Sequence, residues 1–75
     1  MEWQNYITVN PTICHGKACI RGTRVMVSII LDNLAASLTT DKIIQNYPSL
    51  DQKAMQAAIS YAAELTRERI VTIPA

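Results

Sequence analysis

Apolar and polar residues alternate in short runs through the first third of the chain, the pattern that half-buried β-strands produce. A strand is predicted over Tyr6–Val9, and Asn10-Pro11 ends it because proline has no amide hydrogen to donate. Further short extended pieces are predicted at Ile13-Cys14, Ala18–Ile20 and Val25–Val27. The turns between them are predicted at His15-Gly16-Lys17 and Arg21-Gly22-Thr23, so this segment should be β-rich.

The spacing of apolar residues becomes helical after Val27. Ser28 is the expected N-cap of a first helix, which should end near Ser37. Thr39 or Thr40 is expected to cap a second helix, with Asp41 favourably placed in its first turn and Pro48 stopping it. The apolar positions are Ile30, Leu31, Leu34, Ala35 and Leu38 on the first helix, and Ile43, Ile44 and Tyr47 on the second.

A third helix is predicted to begin after an Asp51 cap. Its buried stripe is expected to comprise Met55, Ala58, Ile59, Ala62 and Leu65. Its solvent side is expected to carry Gln52, Lys53, Gln56, Ser60 and Glu64. The tail from Arg69 to Pro74 is predicted to be a short strand or an extended arm.

This order of elements predicts a mainly α fold with a short N-terminal β segment, in which three helices form a bundle. The tight Tyr47–Leu50 connection between the last two helices is typical of a helix-turn-helix unit. We expect one domain over residues 1–75. It divides into a β-rich segment at 1–27, three helices at 28–66 and a tail at 67–75.

The composition indicates a folded domain whose core is marginal. The chain has 75 residues, of which 49% are hydrophobic and 17% charged. Chains below roughly 80 residues usually gain stability from cross-links, metals or oligomerisation. Since there are only two cysteines, we expect a homodimer or an obligate partner. The β-formers at Ile7–Val9 and Ile70–Ile73 would offer edges for such pairing.

The sequence pattern predicts a cytoplasmic protein without membrane contact. The longest apolar run, Val25–Leu31, is too short to span a bilayer. The first residues show no basic segment followed by an apolar one, so no signal peptide is expected. Two cysteines without a secretory signal indicate a reducing compartment.

His15–Val25 holds two glycines, three cationic side chains and no acidic residue, which raises the question of a phosphate-binding loop. The spacing from Gly16 to Gly22 is one residue too long for such a loop, and no helix is predicted to begin at Gly22. We therefore expect both glycines to be structural turn residues, at backbone angles that a Cβ would forbid.

Neither a metal site nor catalysis is expected. Cys14, His15 and Cys19 supply one ligand fewer than a closed zinc site needs. A disulfide across the predicted hairpin is geometrically possible, but a reducing compartment argues against it. One histidine and six scattered acids suggest no acid–base pair, and the chain leaves little room for a pocket. We expect no cofactor, no small-molecule substrate and no enzymatic activity.

Two groups of residues are candidates for nucleic-acid contact. Phosphate contacts are expected from Lys17, Arg21 and Arg24, and groove contacts from Gln52, Lys53 and Gln56. The alternative is that the arginines bond carbonyls within the fold or across a dimer seam, and that the helix face is only solvated. We expect Arg21 to brace the turn or the seam, and Arg24 to face a partner. The net charge of +1 is low for a strong nucleic-acid binder.

Several motifs together resemble domain-of-unknown-function family 433. They are His15-Gly16-Lys17, Cys19–Val25, Ile43-Ile44, Tyr47-Pro48, Leu50 and Tyr61-Ala62. The resemblance extends from about Ile7 to Ala63 and implies a short β segment followed by a homeodomain-like or winged-helix-like bundle. Ala18 and Ser37 depart from it, since they stand where proline and glycine are usual. Serine in a left-handed helix end should cost stability.

The resemblance also implies a function, because family members are often described as VapB-like antitoxins encoded beside a PIN-like ribonuclease. One hypothesis is therefore an antitoxin-like regulator that binds operator DNA as a dimer and neutralises a PIN-like toxin. The other is a protein–protein interaction module without DNA binding. The helix-turn-helix pattern favours the first hypothesis, and the low net charge favours the second.

Overall fold

Three helices and a two-stranded antiparallel sheet form the part of the chain that the structure, a computed structural model, describes: residues 1–67. The strands are β1 (Ile7–Thr8) and β2 (Cys19–Ile20), and the helices are α1 (Val27–Ala35), α2 (Thr40–Asn46) and α3 (Gln52–Arg67). A first 3₁₀ turn at Trp3–Asn5 precedes β1. The predicted mainly α fold with a short N-terminal β segment is confirmed. The strand or arm predicted at Arg69–Pro74 lies outside the described residues.

The sheet is narrow and is extended on one side by the segment before α1. Ile7 pairs with Ile20 and Thr8 with Cys19. On the other side of β2, Cys19 forms a bridge with Met26, and the Ile20 amide donates to the Val25 carbonyl at 2.9 Å. Two of the predicted extended pieces are therefore confirmed, whereas Val27 is helical.

The extended piece predicted at Ile13-Cys14 is wrong beyond Ile13. Cys14, His15 and Gly16 have φ angles of 53°, 55° and 79°, and they form a left-handed turn. The Gly16 amide donates to the Ile13 carbonyl at 3.1 Å, and the Lys17 amide to the Cys14 carbonyl at 3.0 Å. Positive φ is uncommon for residues other than glycine, so nothing in the apolar pattern of Ile13-Cys14 could indicate this turn.

The prediction that Ser28 caps α1 is also wrong. The helix begins at Val27, and Met26 occupies the capping position without a side-chain cap bond. The Val27 amide donates to the Ala18 carbonyl at 3.0 Å, so the residue before β2 supplies an acceptor for the first amide of the helix. Pairing between Met26 and Cys19 therefore sets where α1 starts.

The other helix ends agree with the sequence predictions. The Thr39 Oγ1 accepts the Lys42 amide at 3.2 Å, and the Asp51 Oδ1 accepts the Ala54 amide at 2.8 Å. α1 ends at Ala35, and Ser37 has a φ of 71°, the left-handed conformation that glycine adopts at lower cost. The departure at Ser37 therefore keeps the backbone geometry of a glycine cap.

The core lies between the sheet and one side of each helix. Its buried members, at 0–5% exposure, are Ile7, Cys19, Ile20, Val27, Ile30, Ile43, Leu50, Ala54, Met55, Ala57 and Ala58. The predicted stripe of α3 is wrong at Ile59 and Leu65, which remain 47% and 45% exposed. Three small alanines, at 0–2% exposure, let the neighbouring helices approach α3 closely, and this turns the larger Ile59 side chain outward.

The first 3₁₀ turn is held against α3 by an aromatic contact. The rings of Trp3 and Tyr61 meet edge to face, with centroids 4.9 Å apart and planes at 68°. This arrangement stabilises an aromatic pair beyond the area that it buries. The start of the chain is thereby fixed beside the second half of α3.

Candidate functional site

The outer face of α3 carries the predicted groove-contacting residues. Gln52, Lys53 and Gln56 are all exposed on the first turns of this helix, while Ala54 and Met55 are buried on the opposite side. Ile59 follows Gln56 by three residues and therefore lies on the same side. α2 ends at Asn46, and a five-residue connection, 47–51, leads into α3. The two helices and the short connection predicted around Tyr47–Leu50 are therefore present.

Gln52 has a structural contact of its own. Its Nε2 donates to the Asp41 Oδ1 at 2.7 Å, which ties the start of α3 to the first turn of α2. Within residues 1–67, the side chains of Lys53 and Gln56 make no such hydrogen bond. On the first turns of α3, these two exposed side chains are therefore the ones that are not used in contacts within the described residues.

The helix pair has no excess positive charge. Between residues 39 and 56, Lys42 and Lys53 are balanced by Asp41 and Asp51. A duplex bound here would gain little from long-range attraction and would depend on close contacts by Lys53 and Gln56.

Arg21 braces the turn that it precedes, as expected from the sequence. Its Nη2 donates to the Gln4 carbonyl at 3.3 Å and to the Ile7 carbonyl at 3.4 Å. Its backbone amide donates to the Tyr6 carbonyl at 2.8 Å. The guanidinium therefore links the turn after β2 to β1 and to the 3₁₀ turn before β1. Its contact with DNA stays a prediction.

Gly16 and Gly22 both have left-handed backbone conformations, with φ angles of 79° and 80°, the kind of backbone angle expected for them as turn residues. A Cβ on Gly22 would meet no atom within 4 Å, so the backbone angle alone favours glycine there. The Thr23 Oγ1 donates to the Ile20 carbonyl at 2.8 Å and accepts the Val25 amide at 3.1 Å, closing the turn. α1 begins five residues after Gly22, so the geometry of a phosphate loop is absent at this glycine.

Lys17 and Arg24 are exposed on the sheet side of the molecule. Arg24 lines an open groove together with Thr8, Ile13, Gly22 and Thr23.

The two groups of candidate residues lie near different positions along α3. Arg21 lies against the first 3₁₀ turn, which packs on α3 at Tyr61. Tyr61 is about 12 Å along the helix axis from Lys53, at 1.5 Å per residue. The two predicted groups are therefore centred on separate surfaces.

A second open groove lies between the start of the chain and α3. It is lined by Met1, Trp3, Ile59, Ala63 and Arg67, among others. The Arg67 Nη1 lies 2.7 Å from the Glu64 Oε2 at its rim. Ile59 is the residue that the sequence prediction missed here. Ile59 follows the polar residue Gln56 by three positions, and this spacing could have indicated that it lies on the exposed side of α3.

The two thiols contact neighbouring carbonyls at the end of the Arg21–Arg24 segment, here called the cationic turn. The Cys14 Sγ donates to the Arg24 carbonyl at 3.4 Å, and the Cys19 Sγ to the Thr23 carbonyl at 3.9 Å. Burial raises the pKa of the Cys19 thiol, the neighbouring Cys14 thiol raises it further, and Arg24 opposes this increase. Among residues 1–67, no three His, Cys, Asp or Glu side chains are grouped to hold a metal ion.

No helix in the described portion of the chain has the length and apolar character needed to cross a bilayer.

Comparisons with known proteins identify relatives and leave the function open. A family model described as "Protein of unknown function (DUF433)" matches residues 7–62. The chain is 34% identical over 56 residues to the uncharacterized protein y4eO of Sinorhizobium fredii, covering 75% of this chain and 25% of that protein. The crystal structure of a DUF433 member from Anabaena variabilis superposes with a TM-score of 0.78 at 29% identity, over 87% of this chain and 64% of that one. The chain thus spans less than two thirds of either relative.

Proposed function

We propose that this chain, which belongs to the DUF433 protein family, is a small antitoxin-like regulator that binds DNA as a dimer. The supporting observation is that Lys53 and Gln56 are exposed on the first turns of α3, which follows α2 after a five-residue connection. In a helix-turn-helix unit, the N-terminal residues of the second helix contact base edges in the major groove. Glutamine matches adenine in that groove, and lysine matches guanine or a phosphate.

Dimerisation is proposed through the outer edge of β1. Within residues 1–67, β1 pairs with β2 alone, and Val9 just beyond β1 is 58% exposed. An exposed strand edge offers unpaired amides and carbonyls to a second copy. A two-fold dimer would present two α3 helices to two half-sites.

We expect sedimentation velocity to show a dimer at tens of micromolar, an ordinary range for weak self-association. Val9→Asp should shift the distribution toward monomer, because it places a charge at the edge that the second copy would cover. Its circular dichroism spectrum should match that of the wild type, since Val9 is exposed. A wild-type monomer across this concentration range contradicts the dimer.

DNA binding is tested with a fluorescein-labelled duplex taken from directly upstream of the protein's own coding sequence. Fluorescence anisotropy should report binding, and the logarithm of the association constant should fall linearly with that of the KCl concentration, because bound counterions are released. A duplex of the same length and composition in shuffled order should bind more weakly. No anisotropy change at the lowest salt would contradict DNA binding.

A protein–protein module without DNA contact is the second candidate, and two observations favour it. The α2–α3 pair carries no net charge between residues 39 and 56. Ile59 is 47% exposed on α3, beside the groove that Met1 and Trp3 line. Neutralisation of a PIN-like toxin would use this groove, because exposed apolar side chains that lie together, here Met1 and Ile59, are typical of protein interfaces. The salt titration separates the candidates, because this module would leave the duplex unbound. Either role is one of binding without catalysis.

A further inference from the structure

The structure brings together two cysteines from different elements, Cys14 in the left-handed turn and Cys19 in β2. We propose that they form an oxidisable dithiol, in which hydrogen peroxide joins the two sulfurs as a reversible disulfide. This site is separate from α3 and is independent of whether the chain binds DNA.

The left-handed turn positions the first thiol. Cys14 and His15 have φ angles of 53° and 55°, an uncommon conformation for residues other than glycine. The turn reverses the chain ahead of β2, and the Cys14 Sγ reaches the Arg24 carbonyl at 3.4 Å.

The second thiol reaches the same stretch of backbone from β2. The Cys19 Sγ lies 3.9 Å from the carbonyl oxygen of Thr23, the residue before Arg24. The two sulfurs therefore use consecutive carbonyls as acceptors. Their proximity also has an electrostatic consequence, because the Cys14 thiol contributes to the raised pKa of Cys19.

The two sulfurs differ in access, and this assigns their roles. Cys14 is partly exposed, whereas Cys19 is 0% exposed. Burial also raises the pKa of Cys19, which lowers the fraction of the reactive thiolate. Cys14 is therefore the sulfur that peroxide meets first, and Cys19 is the resolving thiol.

The reaction balances in two steps with hydrogen peroxide as the oxidant. The Cys14 sulfur attacks one peroxide oxygen, the O–O bond breaks, and Cys14 sulfenic acid and one water are formed. The Cys19 sulfur then attacks the Cys14 Sγ. The S–S bond forms as the S–O bond breaks, and the leaving hydroxide takes the Cys19 proton as a second water. The two thiols have supplied two electrons, and an external dithiol reductant returns them.

Oxidation removes two hydrogen bonds to backbone carbonyls of the cationic turn. In the reduced chain, the thiols donate to the carbonyls of Thr23 and Arg24, and a disulfide has no S–H group to donate. Both carbonyls would lose these partners while residues 14 and 19 become covalently joined. Transient disulfides of this kind are the form that redox-sensing proteins use in reducing compartments.

Peptide mapping of the folded wild-type chain tests the proposal, because Lys17 lies between the two cysteines. After peroxide exposure, alkylation of free thiols and digestion with trypsin without reduction, peptides 1–17 and 18–21 should appear joined. The joined species should separate on adding dithiothreitol. The intact oxidised protein should weigh less than the reduced one by the mass of two hydrogen atoms. Recovery of both peptides alkylated overturns the proposal.

Single variants and an unfolded control assign the roles of the sulfurs. In Cys19→Ala, Cys14 should accumulate as a sulfenic acid that dimedone traps, and in Cys14→Ser, Cys19 should stay reduced. The wild-type chain unfolded in urea should form the joined peptide more slowly than the folded chain does. If the unfolded chain is as fast, or if Cys19 in Cys14→Ser is oxidised as readily as Cys14 in Cys19→Ala, the folded geometry does not assign these roles and the proposal fails.

Discussion

Replacing Lys53 and Gln56 together with alanine should weaken binding to the upstream duplex by roughly thirtyfold or more. A good contact with a base edge contributes on the order of 1–3 kcal/mol, and about 1.4 kcal/mol corresponds to a tenfold change in affinity. Both side chains are exposed, and neither is hydrogen-bonded within the described residues. The circular dichroism spectrum and the unfolding midpoint should therefore be unchanged. Fluorescence anisotropy at one fixed salt concentration measures the effect.

The matched control is the double replacement of Lys42 and Gln45 with alanine. These residues have the same side chains and are also exposed, but they lie on α2, which in a helix-turn-helix unit crosses the DNA backbone. This variant should lose less affinity and should keep its preference for the upstream sequence over the shuffled one. If both double variants lose the same affinity for the upstream duplex, α3 is not the helix that contacts the base edges.

Met55→Ala should destabilise the protein by about 2–5 kcal/mol, because it removes most of a side chain that is 1% exposed and leaves a cavity. The matched control is Ile59→Ala, one helical turn further along the same helix. Ile59 is 47% exposed, so its truncation should change the free energy of unfolding by no more than about 0.5 kcal/mol. Urea denaturation followed by circular dichroism measures both values.

The comparison distinguishes two orientations of α3. If Ile59→Ala is as destabilising as Met55→Ala, the helix buries the stripe predicted from its large apolar residues. If only Met55→Ala is strongly destabilising, the helix buries the side that carries Ala54, Ala57 and Ala58. In that case Ile59 belongs to the outer surface with Gln56.

This orientation marks a limit of the sequence prediction. The hydrophobic pattern gives Ile59 and Leu65 a large weight and the alanines a small one. Yet alanines at 54, 57 and 58 are what permit close helix packing, and their contribution depends on the neighbouring helices. The residues predicted to face a groove were nevertheless on the exposed side, since polar residues identify that side without any knowledge of the partner helix.

The helix ends likewise differ in whether nearby residues or residues distant in sequence determine them. Thr39 and Asp51 were predictable caps, because each side chain bonds an amide three residues later in the chain. The start of α1 was not predictable, because it depends on Met26 pairing with Cys19 and on the Val27 amide reaching Ala18. The left-handed turn at Cys14–Gly16 was missed for a related reason, since its non-glycine residues carry no local signal for positive φ.

The contact between Trp3 and Tyr61 gives the protein an internal spectroscopic reporter. Trp3 is the sole tryptophan of the chain, so its emission comes from one place. That place is the junction of the first residues with the last helix, where the rings are 4.9 Å apart. Tryptophan fluorescence thus follows the docking of two segments that are distant in sequence, whereas circular dichroism follows the helices. Coincident unfolding curves from the two signals would identify a single cooperative unit, which justifies assigning one free energy of unfolding to each variant.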